Sequence, residues 1–310
     1  MDFFSRLAQV SKYLVPPTFR PRLRTEYSMC VRKWQNHREK RRLARHLRSG
    51  GTYISWYGER LDTMLHTAHD LAKILDQYPS GFDDLNAAKA LGLEPHHTLH
   101  EFGCGTFRAG HCFIEYLESG NYSANDASSE RIADGIMCLE KYLGPSVFKA
   151  KAATFIVNPD NSFDWLKGRT FDYIWAGAVL GHMPESDITD LFQNIRKAMH
   201  EGSRFAFTYS HADINEFREF KTLPTEQQRI EAATAAAKRD GNLHVIRAIL
   251  SNRGQDCIEV SVKDWFHSLA FFKRVAEPMG FTIEDVIYVE PLTACSSFPI
   301  WSGIALARLR

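Results

Sequence analysis

No apolar run in the chain is long enough to cross a membrane. The longest nearly apolar stretch, Tyr173 to Leu180, falls far short of the roughly 20 residues such a helix needs. No window has the order of a cleavable signal peptide, with a basic segment, then an apolar one, then small residues. The six cysteines (Cys30, Cys104, Cys112, Cys138, Cys257, Cys295) are scattered, without a C-x-x-C pair. That argues against structural zinc, no metal ligand set is read, and a reducing cytoplasm is the expected setting. Internal repeats and low-complexity tracts are absent. So is the compositional bias of a disordered, collagen-like or disulfide-dense chain, since 44% of the 310 residues are hydrophobic and 24% charged. The length suits one large domain or two small ones.

Net charge is also nearly absent, at +1, but it is unevenly spread. Residues 1–50 hold thirteen Lys/Arg against three acids, a net +10, which leaves −9 for residues 51–310. Such a split points to an acidic partner for the N-terminal arm, namely phosphate, anionic lipid or nucleic acid. The alternative is a solvated basic helix docked on the acidic body of its own chain.

The first 97 residues read as a helical extension. Phe3, Phe4, Leu7, Val10 and Leu14 recur at helical spacing before Pro16-Pro17 stops the pattern. This helix either lies on a membrane surface or packs on its own domain. Further helices are expected over about 27–47 and 54–75. From His97 the period changes. Strands are expected at 98–102, 122–126, 147–156, 171–176 and 204–209, alternating with helices, which indicates a parallel sheet covered on both faces. Residues 211–260 are polar and rich in helix formers, as an insertion would be. A helix starting at Trp265 and strands over 281–289 and 301–309 complete the pattern, the last two joined by a loop short enough for an antiparallel pair.

The main chemical signal is the turn Glu101-Phe102-Gly103-Cys104-Gly105-Thr106-Phe107-Arg108-Ala109-Gly110. A strand that runs through glycines into a helix lets a ligand approach the backbone and meet free N–H groups. Asp126 follows Gly105 by 21 residues, where the next strand should end. A carboxylate there can accept both hydroxyls of a ribose. A dinucleotide fits poorly. G-x-G-x-x-G would need glycine at position 108, which is arginine. Glu101 would also repel a pyrophosphate, whereas a cofactor with an amino group or a sulfonium suits it.

At this point the chain resembles a known family. HEFGCGTFRAG looks like the first motif of class I S-adenosylmethionine-dependent methyltransferases, and NYSANDASSE resembles their second. FDYIWAGAVLGHMPESDITDLFQNIRKAMHEGSRFAFTYS resembles the fourth strand through the fifth, and GFTIEDVIYVE with WSGIALARLR the closing pair. The likeness spans about 95–210 and 262–310. It implies an α/β fold with a Rossmann-like, mostly parallel seven-stranded sheet whose last pair is antiparallel. A helical N-terminal extension over 1–97 would precede the methyltransferase domain over 98–310, with a helical insertion near 211–260. By resemblance, S-adenosyl-L-methionine is the cofactor. Glu101 would face its amino group, and Gly103, Cys104 and Gly105 would line it along the backbone. Asp126 would hold the ribose. Asn158 or Asp160 would lie near the adenine, unless Asn158-Pro159-Asp160 is only a turn. Ala176 and Gly177 would border the methionine part. Tyr53 and Tyr57, beside Trp56, would cover the cofactor from the preceding helix, or that group would simply pack in the core. Phe107 stands where glycine is frequent, a departure expected to narrow the pocket.

The sulfonium already activates the methyl group, so such a protein must align the partners, exclude water and, for an oxygen nucleophile, remove a proton. His182 is the first candidate base, its alternative role being to cap the next helix or pack under the cofactor. Tyr209 and His211 are weaker candidates. The motif neighbourhood looks like bacterial methyltransferases of cell-surface saccharide synthesis, which implies O-methylation of a small polar or saccharide-type acceptor. Residues 1–50 would then lie near an anionic membrane or a phosphorylated carrier, the chain being cytoplasmic or peripheral at the membrane. An RNA methyltransferase gripping phosphates through Lys40-Arg41-Arg42 is one alternative. A non-catalytic binding protein on the same fold is another.

Overall fold

The computed structural model describes residues 20–65, 71–158, 160–213, 222–239, 243–285 and 302–310, with 215, 217 and 220. The expected helix over 3–14, Pro16-Pro17, Pro159 and the stretch 286–301 lie outside the described residues. The chain divides into two units, Met1–Gly50 and Gly51–Arg310.

The described part of the first unit is one helix, α1 (Arg20–Arg48). It is basic along its length and its last turn carries Arg45, His46 and Arg48, where positive charge complements the helix dipole.

The second unit opens with α2 (Tyr53–Leu65), α3 (Leu71–Leu75) and α4 (Gly81–Ala90). These precede the first strand but belong to the same unit as the sheet. The sheet and its helices then follow in alternation: β1 (Leu99–Phe102), α5 (Gly110–Tyr116), β2 (Tyr122–Asp126), α6 (Ser129–Leu143), α7 (Pro145–Lys151), β3 (Thr154–Val157), β4 (Phe171–Ala176), α8 (Glu185–Ile195) and β5 (Met199–Ser210). The inserted segment holds α9 (Glu226–Arg239), α10 (Leu243–Ser251) and a hairpin of β6 (Cys257–Ser261) and β7 (Asp264–His267). The chain closes with α11 (Leu269–Ala276), β8 (Phe281–Asp285) and β9 (Ser302–Leu309).

Seven strands form one sheet in the order β3-β2-β1-β4-β5-β9-β8. Pairings among β1 to β5 are parallel, and β9 runs antiparallel to both β5 and β8. This is the Rossmann-like sheet with an antiparallel last pair that the motifs implied. Every residue of β1 and β2 is buried, as expected of central strands covered on both faces. On one face Ile188, Leu191, Phe192 and Ile195 of α8 and Phe271 and Phe272 of α11 pack on Phe205 and Phe207. On the other, Cys112 and Phe113 of α5 and Ile132, Cys138 and Leu139 of α6 pack on Leu99, Tyr122 and Trp175. The insertion has a small core of its own, built from Ala233, Ala237, Ile246, Ile249, Ile258 and Phe266.

Two expected elements are corrected. The strand expected over 147–156 is a helix, α7, followed by the shorter β3. Gly144 turns the chain at φ +82° and Pro145 takes the first helical position, where its missing N–H costs nothing. Val147 is left exposed. The helix expected from Trp265 begins at Leu269. Ser268 caps it, its side chain accepting from the Phe271 amide at 3.1 Å, and Trp265 belongs to the hairpin.

Candidate active site

The turn after β1 has the backbone its glycines foretell. Gly103 and Gly105 sit at φ +73° and +56°, a region open to glycine at little cost. Their loop is pinned to β2: the amides of Gly103 and Cys104 both donate to the Asn125 carbonyl at 2.9 Å. Phe107 adopts φ +62° without being glycine, which explains why glycine suits that position. Its ring does not narrow the pocket. It is fully buried and packs on Phe155 with ring centres 4.8 Å apart. Arg108, in place of a third glycine, turns away to pair with the buried Asp84 at 2.6 Å.

A cleft of about 160 Å³ opens beside this loop. Its walls include Tyr53, Tyr57 and Leu61 of α2, Phe102 and Gly103, Asn125 and Asp126, Arg131, Asn158, and Ala178, Val179, His182 and Met183. Asp126 is anchored on both oxygens. One accepts the Gly105 amide at 2.8 Å and the other the Ser128 amide at 2.9 Å. Burial raises its pKa, opposed by these amides and by Arg131. Because a carboxylate offers about four lone-pair sites, two remain for a ligand. Asn158 is oriented by a buried polar ladder that sequence reasoning missed. The His100 imidazole meets Asn125 Oδ1 at 2.8 Å, Asn125 donates to Asn158 Oδ1 at 2.8 Å, and Asn158 donates to the Asp160 carbonyl at 3.1 Å. Burial lowers the His100 pKa to about 4, so this ring is neutral, and its other nitrogen lies 3.2 Å from the Ser123 hydroxyl.

The other wall holds His182. Its Nδ1 lies 2.9 Å from the Lys263 carbonyl and 3.5 Å from Asp264 Oδ1. A carbonyl only accepts, so Nδ1 carries the proton and Nε2 of the neutral ring is an acceptor. Asp264 is fixed by the Ser261 hydroxyl at 2.6 Å. Its pKa is lowered despite burial, because the His182 ring N–H faces it, Ser261 donates to it and Lys263 adds positive charge. Tyr57 stacks on the imidazole, with ring centres 5.7 Å apart and planes 26° apart. The Tyr53 hydroxyl lies 2.7 Å from the His182 carbonyl and 3.0 Å from that of Val262. Helix α2 and the turn between β6 and β7 thus grip His182 from two sides. Asp264 is a second missed residue, since nothing at position 264 marks it from sequence.

The remaining expected residues fall elsewhere. Glu101 does not line the cleft. It is buried beneath the loop, where Tyr122 donates to its carboxylate, so only Asp126 of the expected pair reaches the cleft wall. Cys104 and Gly105 contribute backbone but are not part of the lining, and the Cys104 thiol is buried. Asp160 closes a turn on the Ser162 amide at 2.8 Å. Ala176 and Gly177 stop short of the cleft, which Ala178 and Val179 border instead. At Gly177 a side chain would meet Asp84 Oδ1 at 2.7 Å and Trp175 Nε1 at 2.9 Å, so that glycine makes room for the Trp175–Asp84 hydrogen bond. Trp56, Tyr209 and His211 are buried and outside the lining.

Glu101 gives a clean pH prediction. Burial, the largest effect, raises its pKa from 4.5 to about 8. Between those values the folded chain keeps a proton that the unfolded chain has lost, so stability falls as pH rises across that window. Glu101→Gln keeps an oxygen for Tyr122 and removes the titration. Its advantage over the native chain should therefore grow from near zero at pH 4.5 to a few kcal/mol at pH 8. Urea unfolding at both pH values measures this, and parallel curves would show that Glu101 is ionised in the fold.

Past His182 the chain borders a second, wider groove of about 800 Å³, lined by Pro184, Glu185, Asp256, Glu259 and Trp265 among others. Arg274 ties Glu185 and Asp256 together at 2.7 and 2.8 Å. Among the described residues no group of three His, Cys, Asp or Glu is placed to hold a metal ion.

No protein-family model matches the chain, and no curated protein sequence matches it. Among solved structures, it aligns with magnesium protoporphyrin IX methyltransferase (ChlM) from Synechocystis PCC 6803 with bound SAH at 14% identity and a TM-score of 0.46, over 76% of this chain and 87% of that one. The DhpI–SAH complex gives 15% and 0.46, over 83% and 95%. The glycopeptide N-methyltransferase MtfA gives 12% and 0.48, over 74% and 90%. The substrates these names carry belong to those proteins, and the fold assigned above rests on this chain's own strand order.

Proposed function

We propose that the chain transfers a methyl group from S-adenosyl-L-methionine to a hydroxyl of a small polar or saccharide-type acceptor. The observation that carries this reading is the pairing of two features in one cleft. One is a doubly anchored carboxylate at the end of β2, suited to ribose hydroxyls. The other is a histidine whose tautomer leaves Nε2 able to take a proton. The residues fit the cofactor. Asp126 has lone pairs to spare, Asn158 offers an oriented amide, and Ile54, Leu61, Phe102 and Met183 give apolar surface beside them. Bound S-adenosylmethionine would supply the methyl group, activated by its sulfonium charge. His182 would accept the acceptor's hydroxyl proton on Nε2, and Asp264 would stabilise the imidazolium. Tyr57 stacks on that ring, and Tyr53 holds the His182 backbone through its carbonyl. The carboxylates beside Trp265 in the adjoining groove suit an acceptor rich in hydroxyls. Cys104, Cys112, Cys138 and Cys257 are free thiols, which suits a reducing cytoplasm.

The test is transfer of labelled methyl from S-adenosylmethionine by the full chain into a cell extract, fractionated into RNA, glycan and small molecules. Base-stable label in the glycan or small-molecule fraction supports the reading. Label in RNA alone transfers the assignment to the RNA alternative. Cofactor binding without label in any fraction transfers it to a binding protein.

A further inference from the structure

We propose that Arg131 binds the carboxylate at the amino-acid end of the cofactor, so that the cleft selects S-adenosyl amino acids over nucleosides lacking that group. The inference rests on the cofactor reading above and adds a residue just past the second motif. Arg131 lines the cleft with Asp126 and Tyr57. A side chain at Gly105 would meet Arg131 Nη1 at 3.5 Å, which sets the guanidinium beside the glycine turn. Its Nε is buried and has no hydrogen-bond partner among the described residues. The neighbouring carboxylate, Asp126, has turned both oxygens to the Gly105 and Ser128 amides. The place of Arg131 in its helix is also unfavourable. Its amide donates to the Ser128 cap at 3.1 Å, so the cation stands in the first turn of α6, where the positive end of the helix dipole disfavours it. A buried donor without a partner costs free energy as well. An anion in the cleft would offset both costs.

The chemistry of the cofactor leaves one group for that part. Adenine and ribose are neutral, the sulfonium and the amino group are positive, and only the carboxylate is an anion. Arg131 repels the two cations and attracts the carboxylate. A guanidinium also presents a planar fork of donors that a carboxylate matches with both oxygens. The position of Glu101 removes the competing charge. It lies below the floor of the cleft, and burial raises its pKa to about 8, so at neutral pH it is protonated and does not repel the ligand's anion. Burial raises the Tyr57 pKa to about 12 and Arg131 opposes the rise, as it does at Asp126. The guanidinium is therefore close to both α2 and the end of β2.

Titration calorimetry on the full chain tests this with S-adenosylhomocysteine, with its decarboxylated analogue S-adenosyl-3-thiopropylamine, and with adenosine monophosphate. The native chain should bind S-adenosylhomocysteine about thirtyfold more tightly than the analogue. Arg131→Met should abolish that preference by weakening S-adenosylhomocysteine, without weakening the analogue. Arg131→Lys keeps the charge but not the fork, and should retain part of the preference. Equal affinity of the native chain for the two nucleosides overturns the inference and leaves the cofactor reading standing. An equal loss of both in Arg131→Met does the same, and would make Arg131 a structural residue. Tighter binding of adenosine monophosphate than of S-adenosylhomocysteine overturns it by giving the cation to a phosphate. A native chain that binds neither S-adenosylhomocysteine nor its analogue overturns the cofactor reading itself, and this inference with it.

Discussion

Replacing His182 with alanine should lower turnover by about two to four orders of magnitude while leaving S-adenosylmethionine affinity nearly unchanged. The effect is large because the ring is set up for one task. Its Nδ1 proton is committed to the Lys263 carbonyl at 2.9 Å, so the basic nitrogen is always Nε2. Asp264→Asn should cost less, about tenfold, because a backbone carbonyl fixes the tautomer and the carboxylate adds only charge at 3.5 Å in a half-exposed setting. Single-turnover kinetics on the acceptor found by methyl labelling measure both. Near-normal turnover of His182→Ala would remove it as the base. An Asp264→Asn loss as deep as that of His182→Ala would mean that the carboxylate, rather than the backbone, sets the tautomer.

Asp126→Ala should weaken cofactor affinity by about a hundredfold, the loss of two hydrogen bonds to a charged acceptor. It should also destabilise the empty protein, because the Gly105 and Ser128 amides lose their partner. Asp126→Asn keeps oxygen on one side and should fall between native and alanine in both readouts. Titration calorimetry and thermal unfolding together separate the two effects. Unchanged affinity in a destabilised alanine variant would reduce Asp126 to a loop anchor.

The fold and the nucleoside half of the site were legible because both are local. Buried strands leave apolar runs, and the stretch from Glu101 to Asp126 carries turn, helix start and carboxylate within one strand–helix–strand unit. What escaped depends on register or on distance. His100 and Asn125 are polar positions in fully buried strands and look like faults until the register sets Ser123 beside His100 and Asn125 beside Phe102. Glu101 was placed in the pocket by its motif, but the Tyr122 hydroxyl on the neighbouring strand holds it below the floor. Asp264 lies across an insertion from His182, and only the hairpin brings it near. Two misread elements did have local signals: Gly144-Pro145 for the start of α7, and Ser268 for the true start of α11.

The hairpin turn at 261–264 has a consequence for how this chain can change. Everything that would grip a nucleoside from the sheet is encoded between residues 99 and 158, whereas the imidazole Nδ1 finds its partners, Lys263 and Asp264, in a segment far downstream. On the proposed function, a version lacking that ribbon would keep the nucleoside site and lose the groups that set the tautomer of the base. Conversely, substitutions confined to the ribbon could retarget the chemistry to new acceptors without disturbing what the sheet has already captured.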